Sequence, residues 1–172
     1  MIQKKICMLG TNAVGKTSLV ARFVRSIYSE VYYATVGVKV DKKVVSVNGS
    51  ELNLILWDLA GEDEFAKHRA AYLTGAAGYL LVVDGTRLAS LEGAHRAQEQ
   101  AASVLGPVPF VCVLNKSDLR DEWELDDHDV GSLVSSGWHI LYTSARTGEG
   151  VEQAFLSLGA KLLPDATPAI GG

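Results

Sequence analysis

Apolar and polar positions along this chain follow two rhythms, and the rhythm changes at glycines. "KKICMLG" is a short apolar run closed by Gly10. The stretch "KTSLVARFVRSI" after it sets Leu19, Val20, Phe23, Val24 and Ile27 at helical spacing, so strand, loop and helix follow in that order. "VGVKVDKKVVSV" and "ELNLILWDL" flank Asn48-Gly49, a two-residue hairpin signal that makes these two strands antiparallel neighbours. "AAGYLLVVDG" (76–85) and "PFVCVLNKSD" (109–118) are unbroken apolar runs of strand length ending in polar residues, the pattern of strands buried on both faces with chemistry at their C-terminal ends. Between them "LASLEGAHRAQEQAASVLG" reads as helix. A further helix is expected to start near Asp126, then "GWHILYTSA" as a last strand. "GVEQAFLSLGAKLL" closes the pattern with Val151, Ala154, Phe155, Leu158 and Leu162 on one helical face. Together these predict a three-layer α/β domain: about six strands, mostly parallel with one antiparallel strand, and about five helices.

Composition narrows the function classes. With 172 residues and 48% hydrophobic content the chain can bury one full core. A single domain over residues 1–163 is expected, with 164–172, which hold Pro164, Pro168 and the final glycines, as a frayed tail. The formal charge is −4 and the 16 Lys and Arg residues are scattered, so nothing resembles a phosphate-backbone-binding stripe and no nucleic-acid partner is expected. Cys7 and Cys112 each sit inside an apolar run as small buried hydrophobes, which suits a reducing cytoplasm. The longest apolar run, Ala76 to Val83, is far below the roughly 18 residues of a membrane span. The C-terminal residues carry no cysteine for lipidation, so no direct membrane anchor is expected.

The first loop, "GTNAVGKT" from Gly10 to Thr17, matches G-x-x-x-x-G-K-[ST] in full between a strand and a helix. In such a loop the glycines let backbone N–H groups wrap a phosphate. Lys16 reaches the terminal phosphates, and the Thr17 hydroxyl can ligate Mg²⁺. The bland alternative is a glycine turn capped by Thr17. "NKSD", Asn115 to Asp118, then selects the base: an Asp118 carboxylate can accept both guanine N1–H and the N2 amine. Asn115 can meet N7 and O6, and the Lys116 stem can lie over the ring. Alone, "NKSD" could be an exposed polar loop. With "TSA" (Thr143 to Ala145) after the last strand, where the Ala145 N–H can reach O6, it points to guanine.

With these motifs, Thr35 in "YYATVGV" and "DLAGE" from Asp58, the chain resembles the Ras superfamily of small GTPases over nearly its whole length. The resemblance implies a six-stranded sheet with helices on both faces, GTP and GDP with Mg²⁺ as ligands, and two switch segments that signal to effector, exchange and activating proteins. It implies a nucleotide-binding set of Asn12, Ala13, Val14, Gly15, Lys16, Thr17, Ser18, Tyr28, Tyr32, Thr35, Gly61, Asn115, Lys116, Asp118, Ser144, Ala145 and Arg146. Within that set Tyr28 packs against the guanine and Tyr32 covers the phosphates. Thr17, Thr35 and Asp58 hold the metal, Asp58 through water. Lys16, Thr35, Gly61 and Glu62 stand at the reacting phosphate, where Gly61 contributes its N–H at a distance no side chain permits.

Glu62 departs from the family pattern, which places glutamine there to orient the attacking water. An ionised glutamate can only accept hydrogen bonds, and it adds charge beside an anionic γ-phosphate. No arginine occurs from Ile27 to Val36 to act as an internal finger, and Asn12 can crowd the attacking water. Slow intrinsic hydrolysis is the expectation, with a non-hydrolysing guanine-nucleotide scaffold as the alternative. A P-loop kinase of small substrates would need an arginine-rich lid, and none is apparent. Arg22 and Arg25 are expected to be solvated, as are Asp63, Glu64 and the acids of "DEWELDDHD" (Asp121 to Asp129). The four histidines share no zinc-ligand spacing. Trp57 alternates away from the leucine face of its strand, and with Val38, Phe65 and Tyr72 it can form either a partner-binding patch or ordinary core.

Overall fold

A computed structural model of the chain describes residues 1–29, 37–59 and 66–164. Its sheet has six strands, β1 (Ile2–Leu9), β2 (Val38–Val47), β3 (Ser50–Leu59), β4 (Gly78–Asp84), β5 (Phe110–Asn115) and β6 (Ile140–Tyr142), in the order β2-β3-β1-β4-β5-β6. All neighbours are parallel except β2 and β3. Those two are joined at Asn48 (φ 50°) and Gly49 (φ 80°), the two positive-φ positions that an Asn-Gly turn supplies. Among the described residues five α-helices accompany the sheet: α1 (Lys16–Arg25), α2 (Ala66–Leu73), α3 (Ala89–Leu105), α4 (Asp127–Ser135) and α5 (Val151–Leu162).

Side-chain alternation in the strands divides the core into two layers. Ile6 and Met8 of β1 with Leu52, Leu54 and Leu56 of β3 face α1 and α5, where Phe23 and Phe155 stack with ring centroids 4.1 Å apart. Cys7 and Leu9 with Tyr79, Leu81 and Val83 face the other way, against Leu73, Ala94, Ala97, Ala101 and Leu133 of α2, α3 and α4. Alanines on α3 let that helix sit close to the sheet, and every residue of β4 is buried. The predicted α5 face is buried as expected. The helix expected near Asp126 starts there because Asp126 and Asp129 exchange backbone and side-chain hydrogen bonds, both 2.9 Å, as a capping box.

The last strand is shorter than its sequence suggests. Only Ile140–Tyr142 pair with β5, and Thr143 to Ala145 turn away into the site. Burial pushes the thiols of Cys7 and Cys112 up to about 12, so both remain protonated core side chains. Among the described residues no helix is long and apolar enough to cross a membrane.

Candidate functional site

The sheet continues from β1 to β3 on one side and to β4 on the other. The crevice beyond the carboxyl end of β1 is therefore the topological switch point of an open α/β sheet, where such sheets bind ligands. The loop from Gly10 to Gly15 occupies it. Gly10 (φ 149°) passes so near β4 that a Cβ would lie 2.6 Å from the Val82 carbonyl oxygen. Gly15 (φ 108°) has the Asn115 Nδ2 where its Cβ would be, at 2.2 Å. Ala13 is also left-handed, at φ 61°. The loop leads into α1 at Lys16, so the amino end of that helix faces the crevice.

Lys16 is buried, and its ammonium donates to the carbonyls of Gly10 (2.8 Å) and Thr11 (2.9 Å), closing the loop into a cradle. Burial lowers its pKa to about 8 against the opposing pull of Asp58, with Arg69 and Arg87 lowering it further. Asp58, at the end of β3 and 1% exposed, accepts the Thr17 hydroxyl at 2.5 Å. A hydroxyl and a buried carboxylate meeting at the lip of a phosphate cradle are the oxygen donors a hard divalent cation takes, so these residues fit Mg²⁺.

Beside the cradle lies a cavity of about 300 Å³ lined by Ala13, Gly15, Ser18, Tyr28, Asn115, Lys116, Asp118, Ala145 and Arg146, among others. Sequence motifs far apart in the chain thus share one wall. Asp118 is aimed by its neighbour Ser144, whose hydroxyl donates to it at 2.7 Å and in turn accepts the Thr147 N–H at 3.1 Å. Val14 contributes its backbone, while its side chain lies in the core beneath.

The structure adds protein partners to several of these residues. Asn115 is 2% exposed and its carboxamide is built into the protein. Nδ2 donates to the Val14 carbonyl at 2.9 Å, and Oδ1 accepts the Thr143 hydroxyl at 3.1 Å and lies 3.4 Å from the Ala145 nitrogen. It ties three loops together, with one N–H left over for a base edge. The Lys116 ammonium is drawn to Asp84 Oδ2 at 2.7 Å, though its residue still lines the cavity. Arg22 is not solvated: Nε donates to the Ala145 carbonyl at 2.8 Å and a terminal nitrogen to that of Arg146, anchoring the "TSA" loop to α1. Arg25 pairs with the buried Asp41 of β2 at 2.5 Å. The acids from Asp121 to Asp129 are largely exposed as expected, but Leu125 among them is buried.

Asp84 went unpredicted. At the end of β4 and fully buried, it accepts the Thr86 N–H (2.9 Å) and hydroxyl (2.7 Å), Arg87 Nε (3.1 Å) and the Lys116 ammonium. Burial pushes its carboxyl up, but the hydrogen bonds from Lys116 and Thr86 outweigh that and hold it below the usual carboxylate range. Arg87 also donates to the Asn12 carbonyl of the first loop at 2.6 Å. A polar residue directly after an apolar run was the available signal, the same one that marked Asn115. Tyr32, Thr35, Gly61, Glu62, Asp63, Glu64 and Phe65 lie outside the described residues.

A six-stranded, mostly parallel sheet, a glycine-bounded loop at the end of its first strand and a buried acid at the end of the neighbouring strand fit a P-loop GTPase α/β fold. The family profile described as Ras family matches residues 5–163, and the chain belongs to that family of small GTPases. It is similar to the Ras-related protein Rab-4 of Dictyostelium discoideum, 32% identical over 154 residues that cover 88% of this chain and 75% of the relative. Identity to the Ras-related protein RABA4b of Arabidopsis thaliana is 32% over 156 residues, 90% of this chain and 70% of that protein. The GTP-binding protein Rheb homolog of Dictyostelium discoideum is 33% identical over 156 residues, with 88% and 83% covered.

Proposed function

We propose that the chain is a guanine-nucleotide-dependent switch that binds GTP and GDP with Mg²⁺, hydrolyses GTP slowly, and signals through two segments that include Thr35 and Gly61. The observation that carries this reading is the cavity that Ala13 and Gly15 of the first loop line together with Asn115 and Asp118. The cradle supplies amides and the Lys16 charge to phosphates, and Asp118, aimed by Ser144, supplies an acceptor to a base that offers two donors. Mg²⁺, held through Thr17, Thr35 and Asp58, neutralises phosphate charge when bound. Thr35 and Gly61 are the residues whose contacts the γ-phosphate makes and whose release follows its loss.

The nucleotide carried by the purified protein should be GDP or GTP, identified by mass spectrometry. In competition with labelled GDP, ATP at equal concentration should displace nothing measurable. Asp118→Ala should weaken GDP binding by about 3 kcal/mol, roughly a hundredfold, because it strands two base donors without a partner. An unchanged affinity would remove the case for guanine.

Slow hydrolysis rests on Glu62. A carboxylate beside the γ-phosphate cannot donate to that phosphate and repels it, so single-turnover hydrolysis should accelerate in Glu62→Gln by about tenfold or more. If neither form hydrolyses GTP, the protein is a nucleotide-binding scaffold. For partners, Val38, Trp57 and Tyr72 are half-buried against one core cluster, with Trp57 and Tyr72 rings 6.4 Å apart and the Lys5 ammonium 3.8 Å over the indole. These three, and Phe65 from its place in the sequence, are the residues we assign to effector, exchange or activating proteins.

A further inference from the structure

Asp118 and Lys116 depend on a bend that disfavours its own residue. Lys116 sits at φ 70°, ψ 39°, left-handed backbone that costs a non-glycine residue on the order of 1 kcal/mol, so something must hold it there. Its carbonyl accepts two N–H groups, the Leu119 amide at 2.9 Å and the Trp123 indole Nε1 at 2.9 Å. The first is the ordinary closure of the 3₁₀ turn over Ser117–Glu122. The second comes from the side chain that follows that turn.

Trp123 touches the chain at the carboxyl ends of three strands, β4, β5 and β6. After β4, Gly85 lies against the indole so closely that a Cβ would stand 2.1 Å from Cε2 and 2.3 Å from Cδ2. The Gly85 carbonyl then accepts the amides of Glu124 (3.0 Å) and Leu125 (3.2 Å), fixing the chain directly after Trp123. After β5 comes the bond to Lys116. At the end of β6, Tyr142 stacks on the indole at 5.9 Å and 24°, and Arg120 lies over both rings, at 4.4 Å and 4.8 Å. The Tyr142 ring belongs to the residue just before Thr143 and Ser144, which orient Asn115 and Asp118.

We infer that Trp123 is a positioning residue of the guanine pocket: wedged on Gly85, it holds the Lys116 bend and so sets both the lifetime of bound nucleotide and the preference for a base carrying a 2-amino group. The inference rests on the guanine-nucleotide reading above. It adds a residue outside the pocket lining, which includes Lys116 but not Trp123.

Trp123→Phe keeps one aromatic ring at this position and removes the N–H together with part of the bicyclic indole. Release of fluorescent GDP should become about three- to tenfold faster, as loss of one buried hydrogen bond implies, and the preference for GDP over inosine diphosphate, which lacks the 2-amino group, should shrink by a similar factor. A merely structural tryptophan would change melting temperature and leave that preference alone. Gly85→Ala tests the same wedge from its other side: it should also speed release in the native background, and change nothing further in Trp123→Ala, where there is no indole to displace. Native release and native base preference in Trp123→Phe overturn the inference, as does a Gly85→Ala effect of full size without the indole. A native chain that takes up no guanine nucleotide is a different result, and fails the guanine reading itself.

Discussion

Lys16 shows how one residue's environment sets a pH response. Its ammonium is enclosed by the loop it will offer to phosphates, and burial brings its pKa from 10.5 to about 8. The folded chain therefore gives up this proton at lower pH than the unfolded chain does. Below about 8 both states hold it and the cost of burying the charge is fully present. Between about 8 and 10.5 the unfolded state binds more protons, so stability rises with pH. For nucleotide-free protein, urea unfolding at about pH 7 and about pH 9.5 should show a gain from this group of at most about 1 kcal/mol per pH unit, absent in Lys16→Met. Nucleotide affinity should move the other way, because a neutral amine no longer attracts phosphate. Lys16 itself was legible in its motif, whereas Arg22 was not. Its position on a polar helix face reads as solvated, and only the fold brings the Ala145 and Arg146 carbonyls, over a hundred positions along the chain, within its reach.

At the scale of elements, local signals worked wherever the determining interaction is local. Asn48-Gly49 specifies a turn by its own φ angles, and Asp126 with Asp129 caps a helix within four residues. The first loop is local too, but its glycines answer to distant neighbours. Gly15 combines a left-handed backbone with the Asn115 amide at 2.2 Å from its missing Cβ. Gly15→Ala should therefore destabilise the protein by about 1–3 kcal/mol in chemical denaturation and, by displacing Asn115, abolish measurable GDP binding. Binding that survives would mean the cradle and the base pocket are less coupled than their shared asparagine indicates. β6 was over-read for the converse reason. "GWHILYTSA" carries strand-like residues throughout, but pairing stops at Tyr142, where the chain turns to donate the Thr143 and Ser144 hydroxyls to Asn115 and Asp118.

For the molecule as a whole, the strand order explains why motifs scattered from Gly10 to Ala145 act together. Parallel strands place their carboxyl ends, and the loops that follow them, on one rim, and the change of direction at β1 opens the crevice there. Asp58, Asp84 and Asn115 each end a strand on that rim, and each is buried and held by a neighbouring loop. The amino-acid sequence by itself determined the alternation of strands and helices, the leucine and alanine faces, the hairpin and the chemistry of the cradle and base motifs. Those follow from periodicity, backbone preference and functional groups that a short window of residues carries. Only the tertiary structure decided that Asp84 gathers Lys116 and Arg87, that Arg22 braces the last loop, and that Trp123 rests on Gly85 beneath the base pocket. Apart from the local Arg87–Asp84 pair, those contacts join residues from 32 to 123 positions apart whose partners have no local signature, so they exist only once the sheet has aligned its ends.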